Sequence, residues 1–577
     1  MKRIGLVLVS AIVLASCGGG GNGSDGGSGG GSPLFVDIEY QGAPSVTTPA
    51  VTLNGAAECD NCPPAVYNFG GCPAIDLPRS SAIQLTWSNR STGAGGAASS
   101  AIVGTCSCLL SQCTVTYAHR WSASVPLAIG DNSIEVRASR PSGGSGLDSI
   151  AIKRLPSAIA GLVAVPGEGQ VTLSWPSAGD AASYDLYFAT SRDVSTTNGT
   201  KIAGVTSPYT HTGLADDVTH YFVLTTVING FESPASEVAW ATPGWRTEAI
   251  AATVATSAYR DASIATDSAG RAYVHHSFEQ HIGSSVVMYN YYLTNAGGSW
   301  ASLLVGNPLW VNAELVLDAA DTVQVAYLGF PGVTRATLAA GAWAPDLVDS
   351  TGSCSSSLAL DSAGKAHLAY YSSAGGYSVR YATNASGAWM TRDVEPLADL
   401  GCHGPGTLAL GVDSTGAAHV AYPGEFPGYG LRYATNRGGS WAVSTIDPGN
   451  ITRLALAVDA NDKAHIAYTN NIAELKYATD VTGAWATEVL EDAGGPNHPA
   501  IALDAGGKVY VSYVDGEYGG ELRYTTNAAG SWRLVKIDAA DSDFGGSATD
   551  TAVAVDAQGK LHITYYRDGG LTYATNR

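Results

Sequence analysis

The stretch Leu358-Ala359-Leu360-Asp361-Ser362-Ala363-Gly364-Lys365-Ala366-His367-Leu368-Ala369-Tyr370 places two short apolar runs around one tight turn, and variants of it recur through the C-terminal half of the chain. The turn aspartates are Asp267, Asp318, Asp361, Asp413, Asp459, Asp504 and Asp556. From first to last is 289 residues over six steps, about 48 per repeat, so seven repeats fill residues 244–577. Three residues after each Asp stands Gly270, Asp321, Gly364, Gly416, Asp462, Gly507 or Gly559, as a hairpin needs when Asp caps the turn and its fourth residue takes positive φ. One carboxylate per turn is too few oxygens for calcium, so these aspartates read as turn formers.

Each unit contains four strand signals, for example Leu358-Ala359-Leu360, Ala366 to Tyr370, Val379 to Thr383 and a run opening at Trp389. Four strands per unit make a propeller blade. The tryptophan recurs as Trp245, Trp300, Trp343, Trp389, Trp441, Trp485 and Trp532. Its first copy precedes the first Asp turn, and no Trp strand follows Tyr573 to Arg577. Trp245-Arg246-Thr247-Glu248 is therefore expected to supply the outer strand of the last blade and close a seven-bladed ring. His367, His419, His465 and His562 stand six residues after their turn Asp, where Tyr273, Gln324 and Tyr510 stand in the other repeats. Because Tyr and Gln share the position, it reads as ring-wide packing or hydrogen bonding between blades, not as a metal or proton-transfer site.

Upstream, the fold class continues as all-β: two β-sandwich modules ahead of the seven-bladed β-propeller. Period-two runs such as Gln84-Leu85-Thr86-Trp87 and Ser133-Ile134-Glu135-Val136 mark strands within residues 34–155. Their ending, Pro126 to Val136 through Asp148 to Ile152, resembles the last strands of bacterial Ig-like modules. Residues 156–243 carry Gln170-Val171-Thr172-Leu173-Ser174-Trp175, Tyr184-Asp185-Leu186-Tyr187, Leu214 and Tyr221-Phe222-Val223-Leu224. This pattern resembles fibronectin type III domains; the resemblance implies that Trp175 fills the core, that Tyr221 makes the tyrosine corner, and that the module is a spacer.

At the start, basic Lys2 and Arg3 precede the apolar run Ile4 to Leu14, which is too short to span a bilayer. Leu14-Ala15-Ser16-Cys17 resembles the lipobox of bacterial lipoproteins, which implies cleavage before Cys17 and lipid on its thiol. Residues 1–17 are thus read as a lipoprotein signal and 18–33 as a Gly/Ser-rich tether. The expected address is an exported, lipid-anchored position at the outer membrane or cell surface. Eight further cysteines remain. Cys59, Cys62, Cys72, Cys106, Cys108 and Cys113 read as disulfides of open pairing, with a zinc knot or a redox thiol pair at Cys59-x-x-Cys62 as alternatives. Cys354 and Cys402 lie in the loops entering the first strands of consecutive blades and are expected to bond.

Composition narrows function. The chain of 577 residues has 50 acidic against 30 basic residues and a net charge of −20, which disfavours nucleic acid and anionic membrane surfaces as partners. No metal or cofactor is implied. The resemblance to lectin and sialidase-like propellers is in outline only: the sialidase turn Ser-x-Asp-x-Gly-x-Thr-Trp is absent, and Arg380, Arg432 and Arg523 occupy one repeated strand position. Variable loops are the expected site of function, above all Glu425, Phe426 and Tyr429 and then Asp515, Glu517 and Tyr518, where rings beside carboxylates suit glycan or protein ligands. The reading is a membrane-tethered binding protein and not an enzyme. The alternatives are a glycosidase or lyase using loop carboxylates, and an assembly scaffold.

Overall fold

The computed structural model describes residues 36–576 except 59–64, 68–82, 110–111, 140–143, 180–182, 252–259, 283–284, 307–312, 330, 374, 399–407, 425–429, 493, 517–519 and 540–550. Its regular elements are all strands. The chain divides into two compact units, Met1–Ala158 with Asp180–Ala182 and Thr226–Pro234, and Ile159–Gly179 with Ser183–Thr225 and Ala235–Arg577.

In the first unit, one sheet is built on Ala50–Glu58 and Gln112–Pro126, the other on Gly130–Ser139 flanked by Gln84–Asn89 and Ser145–Arg154. Leu53, Trp121 and Val125 from the first pack against Leu85, Ile134, Val136 and Ile152 from the second. The strict alternation of buried and exposed residues along Gly130–Ser139 is what a strand with one face on a core requires. Cys108 and Cys113 are directly opposed in the backbone ladder. Cys59, Cys62 and Cys72, and the side chains of Cys106, Cys108 and Cys113, lie outside the described residues.

The second unit begins with another pair of sheets, one of Val163–Gly167, Gln170–Ser174 and Tyr209–Thr212, the other centred on Ser183–Ala189 and His220–Ile228. Trp175 fills the space between them with Val171, Leu186, Phe222 and Leu224, and meets the Tyr184 ring edge-on at 5.5 Å. Alternation along His220–Ile228 sends Phe222 and Leu224 to the Trp175 core, so Tyr221 and Val223 face the other way, against Tyr187 and Val194.

The remainder forms, among the described residues, seven four-stranded antiparallel sheets. Numbered by their innermost strands they start at Arg260–Thr266, Glu314–Leu317, Gly352–Leu360, Ala409–Val412, Ile451–Val458, Pro496–Leu503 and Ala552–Val555. Each innermost strand packs against the next, and the seventh against the first. Four-stranded sheets repeated radially about a channel define a β-propeller. Second strands such as Ala366–Ser372 are buried along their whole length, because each lies between two neighbouring sheets. Trp245–Ala251 pairs with Gly570–Asn576 as the outer strand of sheet seven, with Trp245 opposite Asn576, as the tryptophan spacing requires.

The Asp turns take the form read from the sequence. The fourth residues all have positive φ, from 60° at Asp321 to 80° at Gly559. Asp361 is typical: its Oδ1 accepts from the amides of Ala363 at 2.9 Å and Lys365 at 2.8 Å. A second repeated residue locks the turn to the third strand, as Asn384 Oδ1 accepts from the Ala366 amide at 2.8 Å.

The recurrent histidine needs correction. It hydrogen-bonds within its own sheet, not between sheets. His367 Nδ1 lies 2.5 Å from the Tyr381 hydroxyl and its Nε2 3.4 Å from Asp361, and His419 and His562 repeat the arrangement. The partner tyrosine carries the contact onward: Tyr381 meets Trp441 of the next sheet edge-on at 5.3 Å, Tyr433 meets Trp485 at 4.7 Å and Tyr573 meets Trp300 at 5.0 Å. Trp245 takes the same place against Tyr524 at 5.5 Å, so the closing strand is packed like any other.

Candidate functional site

The repeated cations are staples between sheets. Tyr370 donates to Asp349 at 2.6 Å, and Arg380 Nη1 reaches the same carboxylate at 2.8 Å; Asp349 ends the outer strand of the preceding sheet. Tyr422 and Arg432 converge likewise on Glu395, Tyr468 and Lys476 on Asp447, Tyr513 and Arg523 on Glu491, and Tyr565 and Arg567 on Asp538. A phenol and a cation around one half-buried carboxylate compensate its desolvation. Arg380, Arg432 and Arg523 are thereby committed to holding the ring.

Of the loop residues expected to bind ligand, Glu425, Phe426, Tyr429, Glu517 and Tyr518 lie outside the described residues, as do Cys402 and the side chain of Cys354. Asp515 is described and is not a loop carboxylate. It closes the strand Val509–Asp515 fully buried, ion-paired with Arg523, because that guanidinium has to be neutralised inside the ring.

The geometry draws attention to the central channel, a cavity of about 230 Å³ bordered by all seven innermost strands. Its polar residues come from the beginnings of those strands. Cys354 pairs with Tyr371 near the end of the second strand, so this end of the channel shares a face with the loops joining second and third strands. Adjacent innermost strands radiate apart and form no ladder, so their backbone amides need side-chain acceptors. Asp261 Oδ2 accepts from the Ala313 amide at 3.2 Å, Ser263 Oγ from Leu315 at 3.0 Å, Glu314 Oε2 from Leu358 at 2.7 Å and Ser357 Oγ from Leu410 at 3.0 Å. Each bond joins one sheet to the next.

This bonding does not use the whole lining. The Ser356 hydroxyl is buried at the wall and has no hydrogen-bond partner among the described residues. Ser355 and His498 hold left-handed backbone, φ 41° and 52°, at irregularities where sheets three and six enter the channel. Strained backbone of this kind concentrates at binding sites. Burial pushes the Glu314 carboxyl above its usual range, against hydrogen bonds from Ser357 and Leu358. Arg453 adds a guanidinium to the same wall. Carboxylates, hydroxyls and a guanidinium around so small a volume match the donors and acceptors of one hydroxyl-rich ring, and the cavity is below the roughly 300–1,000 Å³ of pockets for larger molecules. The candidate ligand residues read from the sequence include none of these. A signal was present, since Ser263, Glu314 and Ser357 interrupt otherwise apolar first strands. Among the described residues no group of His, Cys, Asp and Glu is arranged to hold a metal ion, and no helix is long and apolar enough to cross a membrane.

No family model matches the chain, and no curated protein matches it. Among solved structures, a Burkholderia pseudomallei lectin is 14% identical, with 57% of this chain and 99% of that one covered at a TM-score of 0.42. A Dyadobacter fermentans protein of unknown function is 12% identical over 58% of this chain and 100% of its own, at 0.37. The Aleuria aurantia lectin in complex with alpha-methyl-L-fucoside is 13% identical over 52% and 100%, at 0.36.

Proposed function

We propose that this chain is an exported lipoprotein, anchored at Cys17, whose seven sheets are the blades of one propeller that binds glycan without catalysis. In this reading residues 34–155 are an Ig-like module and 156–243 a fibronectin type III module that carry the ring, 244–577, away from the membrane, and Cys354 bonds Cys402. The observation that carries the binding role is the channel, where Ser356, Glu314 and Arg453 line one cavity of about 230 Å³ and the Ser356 hydroxyl has no hydrogen-bond partner among the described residues. Hydroxyls of a sugar can both donate to the carboxylate and accept from the guanidinium, which a hydrocarbon ligand cannot do.

A glycan array probed with the full chain tests this. A bound glycan should lose about tenfold in affinity with Arg453→Gln or Ser356→Ala at unchanged folding. An array without signal, or affinity indifferent to both substitutions, removes the channel from consideration. Fatty-acid labelling that persists in Cys17→Ser would remove the anchor.

A further inference from the structure

In the first unit, the strands Ser99–Leu109 and Gln112–Pro126 run antiparallel in unbroken register, from Ser99 opposite Ser122 to Leu109 opposite Gln112. Within that ladder Cys108 stands directly opposite Cys113, Ser107 opposite Thr114 and Cys106 opposite Val115. On the other edge of the same strand, Cys113 pairs with Tyr67 of Ala65–Tyr67.

Backbone geometry selects among these cysteines. Directly opposed residues of an antiparallel ladder share one face, with Cα atoms about 4.5–5.5 Å apart. A disulfide spans Cα separations of about 4.4–6.8 Å and needs Cβ atoms about 3.5–4.5 Å apart. Cys108 and Cys113 meet the condition by register. Cys106 meets it with neither of them. Cys113 is its diagonal neighbour across the ladder, about 7–8 Å away. Cys108 follows it two residues along an extended strand, about 6.6 Å further on, and successive same-face Cβ atoms are spaced alike.

We propose that Cys108 and Cys113 form a disulfide across this hairpin, leaving Cys59, Cys62, Cys72 and Cys106 to pair among themselves. In the forming step one thiolate attacks an external disulfide such as oxidised glutathione and expels a first thiolate. The second cysteine then displaces the other thiolate from the mixed disulfide. The hairpin loses two electrons and two protons, and the external disulfide gains both as two thiols. A one-residue slip of a ladder exchanges the faces of its strand, and a bond between opposed residues forbids that slip. The pairing rests on the reading of residues 34–155 as a disulfide-bearing module of an exported chain.

The test is alkylation of the full chain after equilibration in a glutathione redox buffer, followed by chymotryptic digestion without reduction. Cleavage after Leu109 or Leu110 separates Cys108 from Cys113. The expected product is two peptides joined through those residues and released by dithiothreitol, with fragmentation between Cys106 and Cys108 placing the link on Cys108. In Cys108→Ser, Cys113 becomes the one newly alkylated cysteine; in Cys108→Ser combined with Cys113→Ser, no further cysteine does. The wild-type map decides the matter should either variant fail to fold. Cys113 linked to any other cysteine, both residues alkylated in the wild type, or two newly alkylated cysteines in the double variant overturns the proposal. So does zinc released in equimolar amount when a mercurial reagent titrates Cys108 and Cys113. A linked pair in the buffer-oxidised chain with free thiols in chain taken directly from cells upholds the pairing and removes the export reading instead.

Discussion

The junctions that enter sheets three to seven and the two that flank sheet one solve the same packing problem with different chemistry. In the former, a tyrosine of the second strand meets an acid at the end of the preceding sheet, and a cation completes the triad. In sheet one the tyrosine position holds His276, whose Nδ1 lies 3.0 Å from the Tyr566 hydroxyl of sheet seven, and its cross-strand partner is Tyr291 where the third, fourth and sixth sheets have arginine. The fourth strand of sheet one, Ala301–Gly306, has no acid to offer sheet two. Aromatic stacking replaces charge: Phe278 lies 5.3 Å from Tyr289 and 6.1 Å from Tyr291. Beside it His275 is fully buried, and burial lowers it to about 4 against the Asn290 hydrogen bond, so it stays neutral. An ionic staple is thus not a condition of closing the ring: both junctions of sheet one go without it, and that sheet has the longest second and third strands, Ala272–Ile282 and Ser285–Thr294.

The largest expected effect comes from breaking one staple outright. Arg523→Met leaves Asp515, Glu491 and Glu521 facing each other with the main compensating cation gone, and unpairing buried charge costs about 3–5 kcal/mol. Chemical denaturation should show that loss; a change under about 1 kcal/mol would mean the acids find water instead. A smaller effect sharpens the contrast. Tyr422→Phe removes a phenol that donates to Glu395 at 2.5 Å and should cost about 2 kcal/mol, whereas Tyr327→Phe at the unstapled position of sheet two should stay within about 0.5 kcal/mol. Equal losses at the two positions would make the staple irrelevant to stability.

The smallest effect is in pH dependence and separates the histidine sheets from the others. Burial lowers His367, His419, His465 and His562 in the fold, outweighing the Asp beside each. With the folded group depressed, the unfolded chain binds more protons below about 6.5, so this stability is present above that pH and is lost as pH falls through the folded values. The turn Asp acts in the same sense at lower pH: burial raises Asp413, but hydrogen bonds from Thr415, Ala417 and His419 outweigh it and hold it well below the usual range. His419→Gln, which installs the side chain of Gln324, should flatten the decline of stability between pH 7 and 5 by at most about 1.4 kcal/mol per pH unit. An unaltered slope in thermal melts across that range would show that His419 titrates alike in both states.

The turn, its positive φ and the ring-closing role of Trp245 were legible because they are local or periodic, and a fixed period carries its own register. The histidine was legible as a packing residue but was assigned to the wrong direction. Position six after the Asp lies within reach of both its own third strand and the next sheet, and sequence spacing does not distinguish them. The staples had a signal in the recurrence of Tyr370, Tyr422, Tyr468, Tyr513 and Tyr565 with acids at Asp349, Glu395, Asp447, Glu491 and Asp538, but each acid belongs to the repeat before its tyrosine. Asp515 looked like a free loop carboxylate because its partner Arg523 lies across a hairpin.

What the sequence determined by itself is everything set by backbone chemistry within one repeat: strand alternation, Asp-capped turns, and the offset of the tryptophans that makes the first and last strands partners. Tertiary structure alone decided which charged groups are consumed by the ring and which face water. The same arginine type is neutralised at Arg523 by three acids and half exposed at Arg533. The difference arises from desolvation, which depends on what the neighbouring sheet places around the guanidinium, and a linear spacing does not contain that neighbour.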